Sequence, residues 1–308
     1  MAKRRQRLPN WLVYLLVRSV LCLIQALPLR LCYRIADLLA SLALRLDRRH
    51  RDVALANIEA AFPGQFSAEQ RRHLVYAVYR HFAAMIIDMA FITRKLHERN
   101  WRHYIRLQRQ NDVIEALLSD RPVILQSGHF GNWEIAGYVF GLFGFRPYSV
   151  ARTLDNPYLE RLLRSFRVRT GQRIIYKRGA FDKVDAVMRA GGTIAILNDQ
   201  DAGARGLYVE FFGRPASTHK GPALLALQHR APVVVGYARR LGDGMRYEMG
   251  TAAVIYPETV QSTRNPVQEL TQRVAWALES IVRQAPDQYL WLHRRWKHQP
   301  KRRHRRAA

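Results

Sequence analysis

Ser127-Gly128-His129-Phe130-Gly131-Asn132-Trp133-Glu134 sets an imidazole and a carboxylate five positions apart, directly after the apolar run Pro122-Val123-Ile124-Leu125-Gln126. A histidine on a small-residue turn at the end of a strand is open to a substrate. A glutamate in the first turn of the following helix can reach back to the ring and fix its tautomer. That is the minimum equipment for drawing a proton off an alcohol. A lone histidine near an apolar run is ordinarily a packed or surface residue. Here Gly128 and Gly131 allow close backbone approach, Asn132 can cap a helix, and Glu134 falls at that helix's positive end. With no HExxH pattern and no second histidine nearby, neither a metal nor another cofactor is expected.

Three further groups carry possible chemistry. Thr193-Ile194-Ala195-Ile196-Leu197 runs into Asn198-Asp199-Gln200-Asp201. Acidic residues at a strand end can bind a metal, orient an arginine or cap a turn, and on the residues alone the turn is favoured. Arg152 could hold a phosphate or steady a developing oxyanion, or it could be one more solvated charge in an arginine-rich chain. Between Gln288 and Lys297, aromatic residues alternate with cations. Trp291, Arg294, Arg295 and Trp296 therefore suit a membrane interface, or equally single-stranded nucleic acid.

The elements that must position these residues are legible from residue 121 onward. Val123–Gln126, Tyr148–Arg152, Ile174–Tyr176, Thr193–Leu197, Val233–Tyr237 and Tyr247–Ala252 read as strands. Asp155-Asn156-Pro157 opens a helix with a cap and a first-turn proline, Gly191-Gly192 closes one, Lys220-Gly221-Pro222 opens another, and Pro286 ends the last. Strands alternating with helices predict an α/β fold with a largely parallel central sheet flanked by helices. In such sheets ligands bind beyond the carboxyl ends of the strands, where His129 falls. Upstream, Ser67 with Gln70 forms a capping box. Leu74, Val78, Phe82, Met85 and Met89 then follow at helical spacing, as a core stripe or a membrane-facing one.

Length and charge frame this. The 308 residues carry 50 Lys+Arg against 24 Asp+Glu, a formal charge of +26. That predicts an anionic partner without choosing among nucleic acid, bilayer, phosphorylated substrate and acidic carrier protein. Leu8 to Leu27 is almost wholly apolar, interrupted by Arg18 and ended by Pro28. It reads as a hydrophobic membrane helix, spanning or in-plane, because a mid-segment arginine is expensive at a bilayer's centre. A cleaved signal peptide is the third and weakest reading, since no clear small-residue cleavage site precedes the next apolar stretch, Leu29 to Leu46. Flanking charges do not decide orientation: Lys3, Arg4, Arg5 and Arg7 on one side face Arg30, Arg34 and Arg45 on the other. Cys22 and Cys32 read as two buried reduced thiols. The expected division is a membrane-anchoring segment over 1–50, a catalytic domain over 51–298 and a basic disordered tail over 299–308.

Taken together, the chain resembles the bacterial lipid A biosynthesis acyltransferases, within the lysophospholipid acyltransferase superfamily. His129-x4-Glu134 in its HFGNWE form matches the family's HxxxxD/E signature. Arg152 with Asn156-Pro157 matches its R…NP block, and Asn198-Asp199-Gln200-Asp201 its DQD element. Phe211-Phe212-Gly213-Arg214-Pro215-Ala216-Ser217-Thr218 with Gly221, and the ending Pro286 to Lys297, match two more. The resemblance implies a glycerol-3-phosphate acyltransferase-like fold. It also implies transfer of a fatty acyl chain from an acyl thioester, on acyl carrier protein or acyl-CoA, to a hydroxyl of a membrane glycolipid such as a lipid A precursor.

On this reading His129 is the general base and Glu134 holds its ring. Arg152 and amides of the 129–133 turn meet the oxyanion, and Asp199 and Asp201 organise arginine and acceptor. Asn132, Asn156, Thr218 and Gly221 complete the substrate-binding set. The implied setting is the cytoplasmic side of the inner membrane, among anionic lipids and with no specific nucleic acid. Two alternatives stand: the same chemistry on a phosphatidylinositol mannoside, ornithine-type lipid or lysophospholipid, and a non-catalytic basic membrane or nucleic-acid binding protein.

Overall fold

The computed structural model describes residues 7–177 and 179–300. The expected tail over 299–308 lies from residue 301 outside the described residues, as do Lys3, Arg4 and Arg5. Seven strands form one sheet: β1 (Ile105–Gln108), β2 (Val123–Ser127), β3 (Tyr148–Ala151), β4 (Arg173–Tyr176), β5 (Thr193–Leu197), β8 (Val233–Arg240) and β9 (Tyr247–Ile255). Their spatial order is β1-β9-β8-β2-β5-β3-β4. Every pair is parallel except β8 with β9, so the largely parallel expectation holds. A separate antiparallel hairpin, β6 (Leu207–Phe211) with β7 (Arg214–Thr218), packs beside it.

β1 and this hairpin were not among the expected strands. β1 is four residues with a single buried position. In β7, Pro215 reads as a break rather than a strand.

The helices are α1 (Arg7–Ala26), α2 (Leu29–Leu46), α3 (Arg48–Ala61), α4 (Ala68–Lys95), α5 (Trp101–Tyr104), α6 (Gln110–Leu118), α7 (Trp133–Leu142), α8 (Pro157–Val168), α9 (Ala180–Arg189), α10 (Gly221–His229) and α11 (Pro266–Gln284). Ser67 and Gln70 make both bonds of the capping box that starts α4. Val78 and Met85 on that helix are buried, with Leu74 and Phe82 packed against the same core. The stripe is therefore interior. Asn156 caps α8 through the amides of Tyr158 and Leu159, with Pro157 at the first helical position. Four apolar clusters result: one between the N-terminal helices, the hairpin and α11, one under α7, one between sheet and α9–α11, and a small one where α6 meets β2 and β8.

α1 buries none of its residues, yet both ends are tied to the domain. Near its start, Asn156 Nδ2 donates to Asn10 O at 2.8 Å and Tyr14 packs on Tyr158. Near its end, Gln25 Nε2 donates to Ala90 O at 2.7 Å and Arg94 donates to Gln25 O at 3.3 Å. Fifteen residues separate Asn10 from Gln25, about 22 Å of helix, so α1 lies lengthwise along the flank. Cys22 sits exposed on it, which corrects the expectation of two buried thiols. Only Cys32, in α2, is buried.

Candidate active site

The register of β2 against β5 builds the site. Ser127 is opposite Leu197, and the Asn198 amide donates to Ser127 O. Two residues beyond each strand stand His129 and Asp199, side by side at the carboxyl edge. One carboxylate oxygen of Asp199 accepts the His129 amide at 2.7 Å, and the other meets His129 Nδ1 at 2.7 Å. The ring, 18% exposed, stands edge-on to Trp133 with centroids 5.0 Å apart. With Nδ1–H donated to the carboxylate, the lone pair lies on Nε2.

Glycine is required at two points of the turn. A Cβ on Gly128 would come within 2.9 Å of Asp199 Oδ2. On Gly131, whose φ is +60°, a Cβ would meet Ala238 O at 2.1 Å. The turn is then clamped from three sides. The Asn132 amide donates to Ala238 O, the Gly131 amide to Gln288 O, and His81 Nε2 lies 3.1 Å from Gly131 O. Asn132 is fully buried; it caps α7 through the Ile135 amide and donates to the Tyr247 hydroxyl at 3.1 Å. Behind it, Asp88 accepts from Tyr247, Arg240 and Tyr33 in a buried network that joins α2, α4 and the sheet.

Several expected roles change. Glu134 does not hold the imidazole. It faces Arg167 of α8, which donates through Nε at 3.0 Å and Nη2 at 2.5 Å. One turn of α7 carries the glutamate toward α8, while β5 delivers Asp199 to the ring. Asn132 is a cap, not a substrate ligand. The amides of His129, Gly131 and Asn132 are already engaged, so they are not oxyanion donors.

Arg152 stands at the end of β3 with its side chain 81% exposed, pairing with Asp155 at 3.5 Å. Asn156 spends its side chain on the α8 cap and on Asn10. Asp201 binds His298 Nδ1 at 2.6 Å and the Gly203 amide. Thr218 is buried and accepts from Arg295, and Gly221 opens α10 with free space around its Cα. The membrane-interface reading of the C-terminal block is overturned for Trp291, Arg295 and Trp296, all buried, while Arg294 is exposed. These aromatics join Phe62, Phe211, Phe212 and Tyr289 in one interlocked cluster, which is what removes them from the surface.

An apolar cavity of about 480 Å³ opens beside the turn, between α7 and the sheet. It follows α7 from Trp133 and Glu134 in the first turn to Phe143 beyond the last, about 15 Å. Leu125, Val150, Ile196 and Met249 form its floor, and Ile114 and Leu117 of α6 its far wall.

A model of the family described as Bacterial lipid A biosynthesis acyltransferase matches residues 1–298. The chain belongs to that family. The lipid A biosynthesis lauroyltransferase of Escherichia coli (strain K12) is 28% identical over 298 residues, covering 94% of this chain and 92% of that protein. The palmitoleoyltransferase of the same organism is 25% identical over 264 residues, covering 82% and 80%. A phosphatidylinositol mannoside acyltransferase of Mycolicibacterium smegmatis is 25% identical over 245 residues, covering 73% and 78%.

In the acyltransferase, burial disfavours a charged His129, but the charge and hydrogen bond of Asp199, with Glu134 nearby, more than offset this and raise the imidazole above its usual 6.5. Asp199 is likewise penalised by burial, yet His129 and Arg295 hold its carboxyl below the usual range. A general base works only when neutral. The acidic limb of kcat/KM is therefore expected above pH 6.5, and a limb below 6.5 in a pH–rate profile would contradict the His129–Asp199 coupling.

Sequence reasoning missed Arg167 and Tyr289. The signal for Arg167 was a cation on the buried side of the strongly amphipathic α8; for Tyr289 it was the pairing partner of the turn, which no local pattern announces.

Proposed function

We propose that this enzyme moves a fatty acyl chain from an acyl thioester to a hydroxyl of a lipid A precursor at a membrane surface. The observation that carries the reading is the conjunction of a base on a hydrogen-bonded carboxylate with an apolar cavity that starts at the same turn. Nε2 of His129 takes the proton from the acceptor hydroxyl as its oxygen attacks the thioester carbonyl carbon. The carbon–sulfur bond then breaks, and the imidazolium returns its proton to the departing thiolate. Asp199 stabilises the imidazolium in between. The acyl tail lies in the cavity along α7, a volume within the range of sites that enclose whole small ligands. Arg152, exposed at the same sheet edge, meets an anionic group of acceptor or donor. Acyl carrier protein is the donor that the excess of cations favours.

Attachment to the bilayer is proposed through one leaflet. α1 is tied to the domain at both ends, carries Arg18 exposed at its middle, and displays Leu8, Leu12, Leu16 and Leu23 outward. An arginine at that position is tolerated at headgroup depth and costly at the centre. The site would then work on the cytoplasmic face of the inner membrane. The homologous mannoside acyltransferases support the second reading, the same chemistry on another membrane glycolipid.

Mass spectrometry of membrane lipids from cells with and without the protein tests both. Loss of one acyl chain from lipid A is expected; loss from another lipid class alone would replace the acceptor. Ala136→Phe, which fills the cavity beside α7, is expected to shift the transferred chain to shorter lengths. An unchanged chain profile would remove the tail from this cavity.

A further inference from the structure

The segment after α11 does more than fill the core. Residues 288–290 run antiparallel to the His129 turn: the Gly131 amide donates to Gln288 O at 2.9 Å, the Leu290 amide to His129 O at 3.0 Å, and Phe130 bridges Tyr289. This pairing brings two side chains against Asp199. Tyr289 is 2% exposed, and its burial together with the charge of Asp199 pushes the phenol well above its usual range. Arg295 is 4% exposed; it donates to Ser217 O at 2.6 Å and Thr218 Oγ1 at 2.7 Å. It shares with Asp199 the wall of a small cavity of about 20 Å³. Its Nε meets no acceptor among the described residues. A guanidinium so deeply buried without a bidentate carboxylate is costly, and the anions whose charge reaches it are Asp199 and Asp201.

We propose that Tyr289 and Arg295 are positioning residues of the acyl-transfer centre: they hold Asp199 ionised and aimed at His129 Nδ1, and they draw part of its negative charge away from the ring. This rests on the reading of His129 as the base. An unshared Asp199 charge would make the His129–Asp199 pair bind a proton more tightly, whichever member carries it. The base would then be occupied at neutral pH. Other charges face the pair and stay constant in the variants below. Glu134 of α7 favours the imidazolium, His293 of the C-terminal segment faces both members, and Asp201 and His219 face Arg295.

The test is a direct titration of full-length protein in detergent micelles with ¹³C-labelled imidazoles, the His129 signal being identified by its loss in His129→Asn. Tyr289→Phe is expected to raise the His129 midpoint by about half a unit, and Arg295→Met by about one unit or more. Arg295→Lys should return it most of the way. An unchanged midpoint in Tyr289→Phe and Arg295→Met, with turnover lowered equally at every pH, would reduce the segment to a structural strap and overturn the proposal. Should Arg295→Met fail to fold, Tyr289→Phe, which deletes one buried hydroxyl, decides alone. The titration needs no substrate, so it stands apart from the acyl-transfer reading, which fails separately if His129→Ala keeps its turnover.

Discussion

Replacing His129 by alanine is expected to lower acyl-transfer turnover on the order of 10²–10⁴-fold, the range contributed by a positioned general base, while circular dichroism and thermal midpoint stay near wild type. The fold should survive because the turn is held by its backbone. The amide of residue 129 still donates to Asp199, and its carbonyl still accepts from Leu290. What vanishes is Nε2, the basic atom the ring keeps when Nδ1–H is donated to Asp199. A variant with full turnover would sink the assignment of the base, whatever the fate of the cavity and membrane helix. A variant that unfolds would show instead that the ring's packing on Trp133 is structural.

The strands that frame the site could be read from sequence because each is a short apolar run closed by glycine, proline or a capping residue. β2 and β5 emerge with the expected cores, and Asn156, Ser67 and Gln70 cap as their patterns predict. His129 could be placed at a strand's carboxyl edge for the same reason. Its partner could not. Glu134 is near in sequence, but a helix turn sets its direction, and Arg167 lies where that direction leads. Asp199 is 70 residues away and becomes a neighbour only through the β2–β5 register, which no local period encodes.

The C-terminal block misleads in the opposite way. Its alternation of rings and cations has the composition of a membrane interface. Yet Trp291, Trp296 and Arg295 are buried, because pairing with the turn supplies a backbone partner and Phe211 and Phe212 supply the packing. Composition reports what a segment could touch; the register of a distant partner decides what it does touch.

Asp199→Asn is expected to cost on the order of 10²–10⁴-fold in turnover, through the tautomer rather than through lost packing. In the native site one carboxylate oxygen accepts the His129 amide and the other faces Nδ1. An asparagine that keeps the amide bond must turn its NH2 toward Nδ1. Two donors cannot face each other, so the ring presents its Nδ1 lone pair inward and carries its proton on Nε2. The atom that should accept the acceptor's proton then has none to accept with. Losing the carboxylate charge also removes the main support for the imidazolium against its burial. The residual activity should therefore show an acidic limb moved to lower pH, opposite to the shift expected for Arg295→Met. Glu134→Gln, by contrast, weakens the tie to Arg167 and one distant contribution to the ring's basicity, so its loss should be smaller and its limb should move little. Steady-state profiles of both variants decide the matter. A near-normal Asp199→Asn beside a crippled Glu134→Gln would return the orienting role to the glutamate.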